Sequence, residues 1–429
     1  MKIATATRIA LRGKPRERYW ALRRQIDRLT ALRRPAARPF ARVLVKDWLR
    51  FALGTARPIH GQTLERAEAA AAWLLRGQAA TRDDGVSKGY FPCHPDTTTG
   101  WLESYPETTG YIIPTLLEFA VRFRRDDVRQ CALRMADWEI EVQMPSGAVQ
   151  GGTVCAPERQ VAAVFNTGMV LQGWSAAYRA TGKARFIEAG RRAANFLVAD
   201  MSDDGHFRSH GAFVLQHSIK TYNCLCGWAL WQFSEDTDDE RYAKTAVRAA
   251  EAALGQQEPN GWFANDCLND PEAPLSHTIG YTLQGILEIG IAAQREDLIA
   301  AARSGVDPIV SRLTSRGFLA GCFFSNWEPA VFSSCLTGSA QLAVVCYRLY
   351  EVTGADEYRR AADSLLNYLK ALQVLEGPDP GVNGAIGGSY PLLGSYMTAG
   401  YPNWATKYFL DGLLLQDRLS TTLGNHPLR

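Results

Sequence analysis

The feature that most constrains this chain is an internal repeat. The segment 167-TGMVLQGWSAAYRATGKARFIEAGRRAANFLVADMSDDGHF-207 can be laid over 337-TGSAQLAVVCYRLYEVTGADEYRRAADSLLNYLKALQ-373. Each opens on Thr-Gly and runs about fourteen residues as an apolar helix. Each then turns at a second Thr-Gly and continues as an amphipathic helix with Arg, Lys and Glu on one face. The same pattern starts near Thr109, Tyr222, Thr278 and Trp404, so the steps between units are 58, 55, 56, 59 and 67 residues.

Within each unit the first helix is apolar on most sides, as in 168-GMVLQGWSAAY-178, 224-CLCGWALWQF-233 and 280-GYTLQGILEIGIAA-293. A helix apolar all round is buried all round, whereas the second helix has a single apolar stripe and faces water. The pattern therefore predicts an all-α (α/α)6 toroid, with an inner ring of buried helices inside an outer ring. Five pairs are complete. The sixth inner helix, 404–416, takes 62-QTLERAEAAAAWLLRGQ-78 as its partner, so the two chain ends close the ring. The barrel is expected over 61–429, with a basic arm over 1–60. Returns from outer to inner helix are long and glycine-containing (144-MPSGAVQGG-152, 201-MSDDGHF-207, 258-EPNGWFAN-265, 315-SRGFLAGCF-323, 381-GVNGAIGGSY-390), whereas the other turns are short. All inner helices then begin at one end, with their positive dipole ends pointing into one funnel.

Charge separates the arm from the body. Residues 1–50 carry 15 Lys/Arg against Glu17, Asp27 and Asp47, a balance of +12; with +3 overall, the remainder carries −9. A body that is net acidic is not expected to take nucleic acid as its main ligand. No segment reaches the roughly 18–20 apolar residues of a membrane span, and the arginine-rich start has no apolar run typical of a secretory signal. The stretch 40-FARVLVKDWLRFALG-54 is basic and amphipathic, suited to resting on the body, on an anionic membrane surface, or on a partner such as a glycosyltransferase. Nine cysteines without a CxxC pair read as reduced thiols in a cytoplasmic protein, peripheral to the inner membrane if the arm binds there.

The funnel end collects the residues that carry chemistry. In 101-WLESYPETTGY-111, Pro106 argues for an extended segment over 101–108 leading into the first inner helix. Glu107 is placed either to cap that helix or to act as a general acid or base, with Glu103 as a second carboxylate. In 265-NDCLNDPEAPLSHTIGY-281, His277 opens an inner helix whose dipole favours neutral imidazole. Tyr281 lies one turn further in, and Asp266 is a candidate partner carboxylate. Tyr390, Tyr396, Tyr401, Asn403, Trp404 and Lys407 gather at the last inner helix; aromatic faces, amides and a cation suit a uronate sugar, and equally a seam that seals the ring. Trp101, Tyr105, Asn166, Tyr222, Asn223, Trp262 and Trp327 extend this lining.

These motifs resemble the six-hairpin glycosidase superfamily, and within it bacterial polysaccharide-biosynthesis proteins; more distantly the chain resembles glucuronyl C5-epimerase catalytic domains. The resemblance rests on SYPETTGYIIPTLL at 104–117, NTG at 166–168, PLSHTIGYTLQGILE at 274–288, SCLTGSAQLAV at 334–344, and GSY at 388–390 with YPNWATKYFLDGLLL at 401–415. It covers about residues 62–416 and implies a poly- or oligosaccharide ligand with no cofactor. Members hydrolyse, eliminate, epimerise or only bind sugars. Glu107, His277, Tyr281, Asp266 and Tyr401 are then the candidate catalytic group. The alternatives are a glycan-binding scaffold subunit and a terpenoid or peptide cyclase on the same fold. Asp236-Thr237-Asp238-Asp239 spells a cyclase-like DxDD but falls in a short turn away from the funnel, and no Cys/His spacing around Cys93-His94 or Cys267/His277 argues for zinc.

Overall fold

A computed structural model describes residues 37–212, 214 and 218–424, with side chains as far as residue 421; the arm's residues 1–36 lie outside the described residues. Thirteen α-helices occupy most of what is described. α1 spans Arg38–Ala52, α2 Thr63–Ala79, α3 Pro106–Phe123, α4 Asp126–Val142, α5 Val164–Thr181, α6 Ala184–Asp200 and α7 Cys224–Thr237. α8 spans Glu240–Leu254, α9 Ser276–Ala292, α10 Glu296–Val310, α11 Leu336–Thr353, α12 Asp356–Leu372 and α13 Asn403–Gly424. Among the described residues no helix is long and apolar enough to cross a membrane.

The inner ring is α3, α5, α7, α9, α11 and α13, each against the next, and α13 returns to α3. The outer ring is α4, α6, α8, α10 and α12, with α2 packed on α13 as the sixth hairpin. This is the (α/α)6 toroid that the repeat predicts, with the chain ends meeting as expected. At that seam Thr63 Oγ1 donates to Gln416 Oε1 at 3.0 Å, and Lys370 Nζ reaches Gln416 Oε1 at 2.8 Å. On the funnel side two antiparallel pairs join loops. β1 (Gly89–Tyr90) pairs with β4 (Tyr401–Pro402), Tyr90 opposite Tyr401; β2 (Ser334–Cys335) pairs with β3 (Ser389–Tyr390), Ser334 opposite Tyr390.

The Thr-Gly pairs have distinct jobs. The glycines stand where neighbouring inner helices touch: a Cβ on Gly110 would lie 2.5 Å from Val170 Cα, and one on Gly168 2.8 Å from Cys226 Sγ. Thr109 and Thr167 pin the funnel loops, whereas the buried Thr337 Oγ1 has no partner among the described residues. Thr109 Oγ1 donates to Tyr105 O and accepts from Val86 N, both at 2.9 Å. Thr167 Oγ1 does the same with Ala163 O at 2.8 Å and Val149 N at 2.9 Å. In the sixth hairpin, which lacks Thr-Gly, Thr406 Oγ1 accepts from Ile386 N at 3.0 Å. The long returns share one glycine turn. Gly147, Gly205, Gly261, Gly317 and Gly384 have φ between +80° and +92°, the region other residues avoid. At Gly261 a Cβ would also meet Ser304 O at 2.1 Å.

Two sequence expectations shift. The extended segment ends at Tyr105, not 108, because proline suits the first helical turn; Glu107 therefore sits inside the first turn of α3. The DxDD turn lies at the short-turn end, as expected. Asp236 binds Ser175 and Arg179, Asp238 closes α7 with φ +53°, and Asp239 caps α8 through Arg241 N.

The close helix approach gives a stability prediction. Gly110→Ala should cost about 1–3 kcal/mol by forcing α3 from α5. Gly255→Ala should stay within about 0.5 kcal/mol, since Gly255 has φ −62° and its Cβ would meet nothing closer than 3.4 Å. Thermal unfolding of the two variants reads the difference directly.

Candidate active site

The inner-helix starts and the loops above them enclose a cavity of about 410 Å³ at the funnel. Tyr105, Phe165, Tyr222, Tyr281, Tyr396 and Trp404 supply its aromatic walls, and Lys88, Glu107, His210, His277, Asn166 and Asn269 its polar groups. Among the described residues Glu107 is the single carboxylate on that lining.

Glu107 keeps partial solvent contact through the funnel but is surrounded by protein. Burial pushes its carboxyl up from 4.5 to about 7, opposed by a hydrogen bond from the Tyr105 hydroxyl and by the Lys88 charge. Tyr105 stands at the N-terminal border of α3, so the helix start that exposes Glu107 also places its hydroxyl partner. Lys88 immediately precedes β1. Its amide donates to Glu103 O at 2.8 Å, and its carbonyl accepts from Asn403 N at 3.1 Å. Its ammonium lies 5.2 Å from the Tyr105 ring centroid. Burial lowers the Lys88 pKa, and Glu107 opposes that shift.

His277 lies in the first turn of α9. Its Nδ1 is 2.5 Å from Gln341 Oε1 on α11. With an amide oxygen as partner Nδ1 must carry the proton, so Nε2 of the neutral ring is left as an acceptor. Burial pushes this imidazole down from 6.5 to about 4, against the Gln341 hydrogen bond, so the ring is neutral at physiological pH. The rings of Tyr281 at 4.4 Å and Tyr396 at 5.7 Å hold it in place. A second imidazole, His210, reaches Ser218 O at 2.6 Å and Asn223 Nδ2 at 3.1 Å; burial lowers its pKa too.

Of the residues singled out from sequence, the structure brings Glu107, His277, Tyr281, Tyr105, Asn166, Tyr222 and Trp404 to the cavity, and Tyr396 with them. The others lie elsewhere. Asp266 is buried beneath the lining, its Oδ1 accepting from Thr282 Oγ1 at 2.8 Å and its Oδ2 without a partner among the described residues. Tyr401 is buried in β4 with its ring on Phe40, and Asn403 fastens the seam through Ser87 O and Thr108 Oγ1. Lys407 pairs with Asp411 at 2.6 Å and is not on the cavity lining. Trp262 and Trp327 pack on each other, and Trp101 packs on Trp73 and Tyr90. Tyr390 faces Phe51 of α1. Glu103 is exposed on the loop outside the cavity, and Asn223 is off the lining with its amide nitrogen on His210.

Sequence reasoning missed Lys88, His210 and Gln341. Lys88 and His210 sit in loops outside the Thr-Gly pattern. Gln341 was legible in principle: it is a polar residue four positions after Thr337, directly before the apolar run 342–347 of an inner helix, a place where burial demands a partner.

No protein-family model and no curated protein matches this chain. Solved structures do match. An unsaturated glucuronyl hydrolase specific for heparin superposes with TM-score 0.66 at 15% identity over 84% of this chain and 98% of that one. An unsaturated glucuronyl hydrolase from Bacillus sp. GL1 gives 0.64 at 16% identity, covering 84% and 97%. A cellobiose 2-epimerase from Bacillus thermoamylovorans B4167 gives 0.65 at 10% identity, covering 82% and 97%. The fold is therefore the six-hairpin (α/α)6 fold anticipated from the motifs.

The buried acids fix a pH dependence of stability. Asp266 is raised from 3.8 to about 7 by burial. A raised acid adds stability that is full below its unfolded pKa and lost as pH rises through the folded one. His277 is lowered, so its contribution is present above about 6.5 and lost as pH falls through about 4. Asp266→Asn should therefore gain about 1–3 kcal/mol on the wild type between pH 5 and pH 8. Denaturant unfolding at the two pH values reads this; an unchanged difference would mean that Asp266 titrates normally.

Proposed function

We propose that this protein is a carbohydrate-active enzyme that removes a proton beside the carboxylate of a uronate residue in an oligosaccharide held in the funnel. The observation that carries this reading is the polar set of the cavity among the described residues: one carboxyl poised near neutral pH, the His277 and His210 imidazoles and one half-buried ammonium. Hydrolysis by two opposed carboxylates needs a second acid facing the sugar. Asp266, the sequence candidate for that place, lies beneath the lining and bonds Thr282 instead.

The roles follow from the chemistry. Glu107, with a pKa of about 7, is the stronger of the two bases and is half ionised at neutral pH. Ionised, it takes the proton at C5, and the electron pair passes into the sugar carboxylate. The Lys88 ammonium stabilises that developing charge. Expulsion of the C4 oxygen, protonated by Glu107, gives an unsaturated product; protonation of the opposite face by a funnel water, whose hydroxide then takes the proton held by Glu107, gives the C5 epimer. His277 accepts a sugar hydroxyl through Nε2, and Tyr222, Tyr281 and Trp404 offer ring faces for stacking. The neighbours of this fold, named as glucuronyl hydrolases and a cellobiose 2-epimerase, support the carbohydrate-active part of this reading.

The test is an NMR time course in D2O with uronate-containing oligosaccharides. Olefinic signals mark elimination, and deuterium at C5 without cleavage marks epimerisation. Glu107→Gln should lower either rate by about 10²–10⁴-fold while leaving glycan binding in place. New reducing ends without olefin would contradict the reading in favour of hydrolysis, and binding without any turnover would make this a glycan-binding subunit. The wild-type rate should climb as pH rises through about 7, where Glu107 ionises.

A further inference from the structure

We infer that α1 is a docking face for an anionic lipid bilayer, set beside the mouth of the funnel. This does not rest on the chemistry of the cavity.

One side of α1 is fixed to the body. Phe40, Val43 and Leu44 are buried, and Asp47 Oδ2 accepts from Leu392 N at 2.6 Å. Arg50 Nη1 donates to Ala371 O at 2.6 Å, and the Phe51 ring packs edge-on against Tyr390 at 5.4 Å. Tyr390 and Leu392 belong to the funnel-side return after α12, and Ala371 lies in the last turn of α12. The loop that carries Leu392 also carries Tyr396 and Met397 to the cavity.

Among the described residues nothing covers the opposite side. Val45 is 60% exposed, Trp48 44%, Leu49 52% and Leu53 72%, and Phe332, 45% exposed, lies 6.1 Å from Phe51. On a chain whose other large side chains are mostly buried, five such residues at one place form a patch rather than scattered exposure. Arg38, Arg42 and Lys46 are exposed on the same helix. An apolar row containing tryptophan, flanked by cations, is what lies in the boundary between headgroups and acyl chains. The preceding sequence adds to the charge match: residues 1–36 contain eleven Lys/Arg against Glu17 and Asp27. Basic residues next to an anionic leaflet each strengthen binding. A second copy of this chain is a poorer occupant, because two such faces would bring like charges together.

The test is co-sedimentation of the full chain with large unilamellar vesicles. Vesicles of phosphatidylcholine alone are compared with vesicles containing phosphatidylglycerol, at low and high salt. The full chain should sediment with the anionic vesicles and be released by salt. A Trp48→Glu/Leu49→Glu double variant should lose about ten-fold or more in partitioning while keeping its thermal midpoint, since both side chains face solvent. Arg42→Gln/Lys46→Gln should weaken binding and flatten its salt dependence. Equal binding of wild type and the Trp48/Leu49 variant would overturn the proposal, because the basic arm alone would then explain the binding. Failure of the wild type to bind either vesicle would overturn it in favour of a protein partner. Self-association abolished by the same variant, without vesicle binding, would overturn it in favour of a second copy.

Discussion

The structure depends on how closely its inner helices approach one another. Six buried helices form a tight ring only where one backbone lies directly on the next, and Gly110 and Gly168 are where that happens. The threonine beside each glycine then turns its hydroxyl to a loop amide that would otherwise lack a partner. Two adjacent residues therefore set both the radius of the ring and the height of the funnel loops above it. The site follows from this, because the first turns of α3 and α9 are where Glu107 and His277 stand.

The same geometry explains the electrostatics. Residues in the first turn of an inner helix are surrounded by neighbouring helices yet open to the funnel. For a carboxyl there, burial dominates the hydroxyl and ammonium that favour ionisation, and Glu107 moves up to about 7. For an imidazole the same burial works in the opposite direction, and His277 moves down to about 4. Two titratable groups in one cavity are thus driven in opposite senses by a single cause, which is how one site comes to hold distinct proton-transfer roles.

The ring was legible in the sequence because it is periodic: apolar helices, amphipathic helices and Thr-Gly pairs recur at steps a reader can measure. The seam was legible from arithmetic, since an unpaired last inner helix needed 62–78. The site was legible only where it coincides with that periodicity, as at Glu107, His277 and Tyr281. Residues chosen for composition near a helix start fared differently. Tyr401 and Asn403 are just as close to α13 as Trp404, but they are turned into the strand pairing and the seam. Lys407 has the charge a uronate needs, but Asp411 one turn on claims it. Lys88 takes the place facing the cavity, held there by long-range pairing of its backbone with Glu103 and Asn403. No local pattern encodes that pairing.

The central claim is that burial in the funnel turns Glu107 into a group that exchanges protons near neutral pH. The most direct measurement is the titration of its side-chain carboxyl, by carbon NMR on protein labelled with [δ-13C]glutamate, with Glu107→Gln used to assign the signal. A midpoint near 7 is the predicted result. A midpoint near 4.5, the ordinary value for glutamate, would mean that the funnel solvates the carboxylate, and Glu107 would then be a cap for α3 instead of the base.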